Sequence, residues 1–169
     1  MKIVLKESQL EVLIEKYKIG EDERLKLFEN ENYLLVAPLT RTASCKYGAG
    51  TKWCVTEKNN DSFERHYGVG TLAFLMIKNP EIQEKLNNTK FAFYSNKPKA
   101  NQDVNDINRI FVYDDKNNFI PTQSFLNFSI NTGTAPEIEN FLYEFINYAK
   151  KKFRADSYEM IKLGLQNPF

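Results

Sequence analysis

Thr71-Leu-Ala-Phe-Leu-Met-Ile77 is the run whose reading decides the fold. It is short, apolar and aromatic, and two more runs of the same character follow at Lys90 to Tyr94 and Arg109 to Tyr113. Such runs, bounded by polar and turn-forming residues, read as successive antiparallel strands. Asp114-Asp115-Lys116-Asn117-Asn118 has the composition of a turn and leads to a further short strand at Phe119 and Ile120. Upstream, Arg24 to Phe28 and Tyr33 to Leu39 are β-rich and are separated by Glu29-Asn30-Glu31-Asn32, a polar cluster suited to a hairpin. Pro38 places the end of the second run at a sheet edge or outside the sheet.

Helical patterns flank these strands. Ser8 and Glu11 form a capping box ahead of Leu10, Leu13, Ile14 and Tyr17, with Gly20 as a stop. At the other end, Thr134 and Glu137 form a second capping box with Pro136 in the first turn. The stripe Ile138, Phe141, Leu142, Phe145, Ile146 and Ala149 then predicts a long helix. Its last residues, Lys150-Lys151-Lys152, read as a solvated cationic end that suits the helix dipole. Asp156 and Glu159 open a shorter helix closed by Gly164. Between the ends, Thr51 to Val55 reads as a short strand and Asp61 to Tyr67 as one or two helical turns stopped by Gly68. Ser95 to Asn108 reads as a polar loop holding Asp103 and Asp106. The expectation is a single α+β domain over residues 1–169: an antiparallel sheet of about five to seven strands, an N-terminal helix, and one or two C-terminal helices packed on it.

Composition narrows the function classes. The 169 residues suffice for one domain with a substantial core. Lysine plus arginine number 23 against 22 aspartate plus glutamate, a net charge of +1, so no global field draws in duplex nucleic acid or an anionic membrane. Cys45 and Cys54 are too far apart for a C-x-x-C half-site, and one histidine leaves no usual metal-ligand set, so neither a metal nor another cofactor is expected. The chain shows no signal-peptide-like region and no apolar stretch long enough to span a bilayer. It reads as cytoplasmic, with reduced thiols.

The chemically densest stretch is Ala37 to Thr56, which holds the single tryptophan and both cysteines. Arg41, Thr42, Ser44, Lys46, Thr51 and Lys52 are donors around the flexible Gly48-Ala49-Gly50 turn, where backbone N–H groups can approach an anion. Tyr47 and Trp53 offer rings for stacking on a base, which makes a phosphorylated or nucleotide-like small molecule the ligand chemistry of choice. Each feature also has a plain structural reading: glycines for turn geometry, Trp53 as a core anchor. Cys54 suits a nucleophile with His66 as base and Asp103 or Asp106 as orienter. Free cysteines more commonly pack as small apolar groups, and the same holds for Cys45. Asp103, Asp106, Asp114 and Asp115 are most simply turn residues.

Tyr47-Gly48-Ala49-Gly50-Thr51-Lys52-Trp53-Cys54, with the aromatic turn at Phe63 to Tyr67 and the strands at Thr71 to Ile77 and Lys90 to Tyr94, resembles a loose group of small, mostly bacteriophage-encoded proteins of unassigned function. The opening Ile3-Val-Leu-Lys-Glu-Ser-Gln-Leu10 is similar to N-terminal segments of phage proteins. The resemblance covers the first two thirds of the chain and brings no catalytic residues with it. It implies a phage source, host cytoplasm as the place of action, and a segment signature at Gly50 to Cys54. The leading expectation is a small-molecule binding protein, with countering of host signalling as its biological role, that takes its ligand through Arg41, Lys46, Tyr47, Gly48, Gly50, Thr51, Lys52 and Trp53. The alternatives are a transferase or hydrolase using Cys54 and His66, and a protein–protein interaction module that inhibits a host factor.

Overall fold

The computed structural model describes residues 23–103 and 105–154; the helices expected over Ser8 to Tyr17 and from Asp156 lie outside the described residues. Strands β1 (Arg24–Glu29), β2 (Tyr33–Pro38), β3 (Gly70–Ile77), β4 (Lys90–Asn96), β5 (Ile110–Asp114) and β6 (Phe119–Ile120) form one antiparallel sheet in chain order. Five α-helices accompany them among the described residues: α1 (Arg41–Tyr47), α2 (Ser62–Val69), α3 (Pro80–Leu86), α4 (Thr122–Asn131) and α5 (Ala135–Arg154). The chain is an α+β fold.

The register of β3 explains why its sequence lacks polar alternation. Phe93 and Phe91 of β4 pair with Ala73 and Leu75, and Leu35 of β2 pairs with Leu75 from the other side, so these residues share one face of the sheet. On that face Phe125 of α4 meets Phe91 and Phe93, with ring centroids 5.3 and 5.5 Å apart, and Phe141 of α5 meets Phe28 and Tyr33, each at 5.1 Å. The opposite face carries Val36, Phe74 and Ala92 in one row. There Trp53 stacks on Phe74 at 4.7 Å. Central strand β3 is therefore buried on both sides, which a continuous apolar run permits and an alternating one would not.

The long-helix face follows the sequence pattern closely. Ile138, Phe141, Leu142, Phe145, Ile146 and Ala149 are all buried. Glu137 does not close a capping box. Its carboxylate accepts from Asn30 Nδ2 at 2.7 Å and Asn32 Nδ2 at 3.1 Å, pinning the first turn of α5 to the β1–β2 hairpin. The hairpin itself turns on Asn30, whose Oδ1 accepts from the amides of Asn32 and Tyr33.

Several expectations are corrected. Arg41 to Tyr47 is a helix rather than part of a loop, capped by Thr40, whose hydroxyl accepts from the Ala43 amide at 3.2 Å. Thr51 to Val55 is not a strand: the chain is irregular to Trp53 and then makes a 3-10 turn at Cys54–Thr56. Gly68 does not stop the helix near Phe63, which runs to Val69. Lys152 is not solvated. It is 8% exposed, and its ammonium donates to Tyr67 O at 2.8 Å and to Gly70 O, with Nζ 3.2 Å from the centroid of the Tyr67 ring. It bridges the end of α5 to the junction of α2 and β3 across the end of the sheet.

Candidate functional site

Residues 39 to 69 connect β2 to β3 and form the cover of the short-helix face. Helix α1 is fastened to the following 3-10 turn by two side chains: Ser44 Oγ donates to Val55 O at 2.7 Å, and Cys45 Sγ to Thr56 O at 3.1 Å. Gly48 caps α1 where a β-carbon would collide with the Thr56 methyl, so the close approach of the two segments requires glycine. Gly50 takes a left-handed φ of 83°, and Thr51 Oγ1 closes the turn on Gly48 O at 2.7 Å. The Lys52 amide donates to Asp115 O at 2.8 Å and Trp53 Nε1 to Asp114 O at 2.6 Å, which docks the segment onto the β5–β6 turn.

The dense segment is thus mostly an architectural clasp. Trp53, 2% exposed, stacks on Phe74 and faces the core. Tyr47 is buried, its hydroxyl accepting from Arg24 and its ring lying 5.0 Å from that guanidinium. Gly48, Gly50 and Thr51 shape the turn, and Lys52 projects from it, exposed. Cys54 packs half-buried against the core. His66 sits half-buried on α2, with Nδ1 2.7 Å from Ser62 O and its ring edge-on to Tyr94. No hydrogen bond joins Cys54 to His66 among the described residues. Asp103 and Asp106 serve their own loop, accepting from the amides of Asn105 and Asn108 at 2.8 and 2.9 Å. Asp114 holds the β5–β6 turn through the amides of Lys116 and Asn118.

What the structure does gather is a hollow of about 390 Å³ lined by Arg41, Thr42, Cys45, Lys46 and Lys58. Arg41 and Lys46 come from the sequence-predicted set; Lys58 does not. Helix α1 presents its residues at one-turn spacing, Arg41 and Thr42 followed by Cys45 and Lys46, so four side chains line one wall. Lys58 closes the other from the turn after the 3-10 segment. Glu64 of α2 grips Arg41 through Nε at 2.9 Å and Nη2 at 2.6 Å, while Nη1 reaches Lys58 O at 3.4 Å. That pairing holds the Glu64 carboxyl below the usual carboxylate range and raises Arg41 further above its already high value. The guanidinium is fixed in orientation, and among the described residues the hollow is lined by three cationic side chains, with the Glu64 carboxylate beside Arg41.

Both cysteines are free thiols. Among the described residues no group of three or more histidine, cysteine, aspartate or glutamate side chains is placed to hold a metal ion. No helix among them is long and apolar enough to cross a membrane. Comparison with protein-family models, curated proteins and solved structures returned no match, so the reading of this site rests on its own geometry.

Proposed function

We propose that the protein is a small-molecule binding protein whose α1 cleft takes a phosphorylated or nucleotide-like anion. The observation that carries this reading is the meeting of Arg41, Lys46 and Lys58 with the Thr42 side chain at one hollow. Cationic side chains give charge-assisted hydrogen bonds to phosphoryl oxygens, and a guanidinium already oriented by Glu64 loses little freedom on binding. The volume lies at the lower end of the ~300–1,000 Å³ range of small-molecule sites, which suits a sugar phosphate or a mononucleotide. The ligand is held here by Thr42 and the three cations; stacking on Trp53 is not part of the site, because that indole is in the core. Action against a host signalling nucleotide is the biological form of this proposal that the phage-like segment suggests.

The test is a thermal-shift and calorimetric titration with pyrophosphate, ribose 5-phosphate and adenosine monophosphate. A bound ligand at a hundred times its dissociation constant adds about 2.7 kcal/mol of apparent stability. Lys58→Ala and Thr42→Val, both at exposed positions, should each cut affinity severalfold while leaving the unliganded melting temperature in place. Flat titrations with all three probes, or binding that both variants retain in full, would remove the cleft from consideration.

A further inference from the structure

The cover formed by residues 39 to 69 lies over β2 and β3 and touches β4 at Tyr94, against His66, and at Lys90, against Ala49, while the outer side chains of β5 and β6 on the same face are only partly covered. Strand β5 records this in its own pattern. Ile110 and Val112 point to the long helices and are buried, while Phe111 and Tyr113 point the other way and are half-buried. Register places Tyr94 of β4 opposite Phe111, and Phe119 of β6 opposite Tyr113, all on this open side. Phe119 leans on both β5 rings, 6.3 Å from Phe111 and 5.9 Å from Tyr113, and is itself 55% exposed. Phe119 is the exposed ring of the four and the other three are half-buried, and an exposed large ring beside partly covered ones at the end of a sheet marks an interaction site.

Charge selects the partner. Lys90 shares this side of β4 and donates to Ala49 O at 2.6 Å, and burial lowers its pKa. At the other end Arg109 lays its guanidinium across the end of β4, donating to Asn96 O and, at 3.3 Å, to Asp103 O. No carboxylate falls on this side of β4, β5 or β6: the nearby Asp114 points to the other side, with both oxygens engaged by its own turn, and Asp115 lies in the turn beyond the strands. Rings flanked by two cations, with no carboxylate among the β4, β5 and β6 residues on the same side and the nearest ones in the loops at Asp103, Asp106 and Asp115, suit a flexible polyanion that carries flat π faces. Alternate residues on a strand stand about 6.8 Å apart and neighbouring strands about 4.8 Å, a grid on which consecutive unstacked bases can each meet a ring.

We propose that the open face built from Tyr94, Phe111, Tyr113 and Phe119, flanked by Lys90 and Arg109, binds a short stretch of single-stranded nucleic acid by base stacking. A duplex hides its bases and finds no field to hold it on a chain of net charge +1. The surface is separate from the α1 cleft and does not depend on it.

Fluorescence anisotropy with a labelled oligouridylate, the matching oligothymidylate and a duplex of equal length tests the idea at low and raised salt. Both single strands should bind more tightly than the duplex, and salt should weaken them. Tighter binding of the oligouridylate assigns RNA through its 2′-hydroxyl, and equal or tighter binding of the oligothymidylate assigns single strands in general. Phe119→Ala, at a solvent-facing ring, should cost about tenfold in affinity, and Arg109→Gln a smaller factor with a shallower salt dependence. Should Phe119→Ala lower the melting temperature, Arg109→Gln decides alone. Lys58→Ala should bind the oligonucleotides as the wild type does. Absence of single-strand binding at low salt, equal binding of the duplex, or full affinity in Arg109→Gln overturns the proposal. So does a dimer in sedimentation that Phe119→Ala dissolves, which would make the face an interface between copies.

Discussion

The two faces of the sheet are covered by chain of opposite character. On one, α4 and α5 lay a regular stripe of phenylalanine and aliphatic side chains over β1 to β5, and almost nothing chemically reactive is present. On the other, residues 39 to 69 do the covering with short elements held by side-chain hydrogen bonds from Ser44, Cys45, Thr51 and Trp53. The first arrangement gains its stability from apolar area, which a long amphipathic helix supplies cheaply in sequence. The second turns sharply several times, needs a polar anchor at each turn, and so leaves cations and hydroxyls at a hollow and aromatic rings uncovered at β5 and β6. The regular apolar cover and the two proposed binding surfaces therefore lie on opposite faces.

The sharpest way to break that division is to truncate a side chain on each. Phe141 is fully buried and packs edge-on against both Phe28 and Tyr33, joining α5 to the first two strands. Phe141→Ala should cost about 3–5 kcal/mol, read from urea unfolding with an unchanged slope. A truncation at exposed Phe119 should stay within about 0.5 kcal/mol. Comparable losses at the two sites would mean that the open face is part of the core after all.

Lys152 ties the two covers together, and pH probes that tie. Burial lowers its pKa to about 7, from an ordinary value near 10.5. Between those values the unfolded chain holds the proton and the folded chain has largely released it, so unfolding free energy rises with pH across this window and is lost again as pH falls toward 7. Tyr67 works in the other direction. Desolvation and the neighbouring Tyr148 push its pKa up, so above about 10 the unfolded chain ionises first and stability falls. The expected profile climbs from about pH 7, by at most ~1.4 kcal/mol per unit, and turns over near pH 10. The Tyr67 ring and the two carbonyls favour the ammonium and flatten the climb. Lys152→Met should abolish the rise, measured by chemical denaturation at each pH. A slope that survives in the variant would assign the titration elsewhere.

The same contrast explains what could be read in the sequence. Strands β1 to β5 were legible as short β-rich or apolar runs between turn residues, and the buried stripe of α5 because one period of 3.6 runs through it. Helix α4 was not: Thr122-Gln-Ser-Phe-Leu-Asn-Phe-Ser-Ile-Asn131 is poor in strong helix formers and is held by Phe125 against Phe91 and Phe93. Helices α1 and α3 carried signals that a longer window hides, the caps Thr40 and Asn79 and the first-turn Pro80. The burial of Lys152 was available too, since it continues the α5 stripe one turn beyond Tyr148. Of the α1 cleft, Arg41 and Lys46 were legible from charge. Lys58 was not, because only the return of the chain from the 3-10 turn brings it to the hollow.

Trp53 is where the two readings of the dense segment part most cleanly. A stacking platform would leave the indole reachable from solvent and sensitive to ligand. The structure instead gives it Phe74 on one side and a hydrogen bond to Asp114 O at 2.6 Å. Trp53→Phe keeps an aromatic ring over Phe74 and removes one of the two hydrogen bonds that Asp114 O accepts, the other coming from the Asn117 amide, an effect of about 0.5–1.5 kcal/mol. Affinity for pyrophosphate should not change, because the hollow lies on the far side of α1 from the core. With a single tryptophan in the chain, the emission spectrum reports this residue alone: it should be blue-shifted, resistant to iodide quenching, and indifferent to saturating anion. Quenching by adenosine monophosphate, together with loss of binding in Trp53→Phe, would move the indole from the clasp to the site and erase the division between the faces on which the other expectations depend.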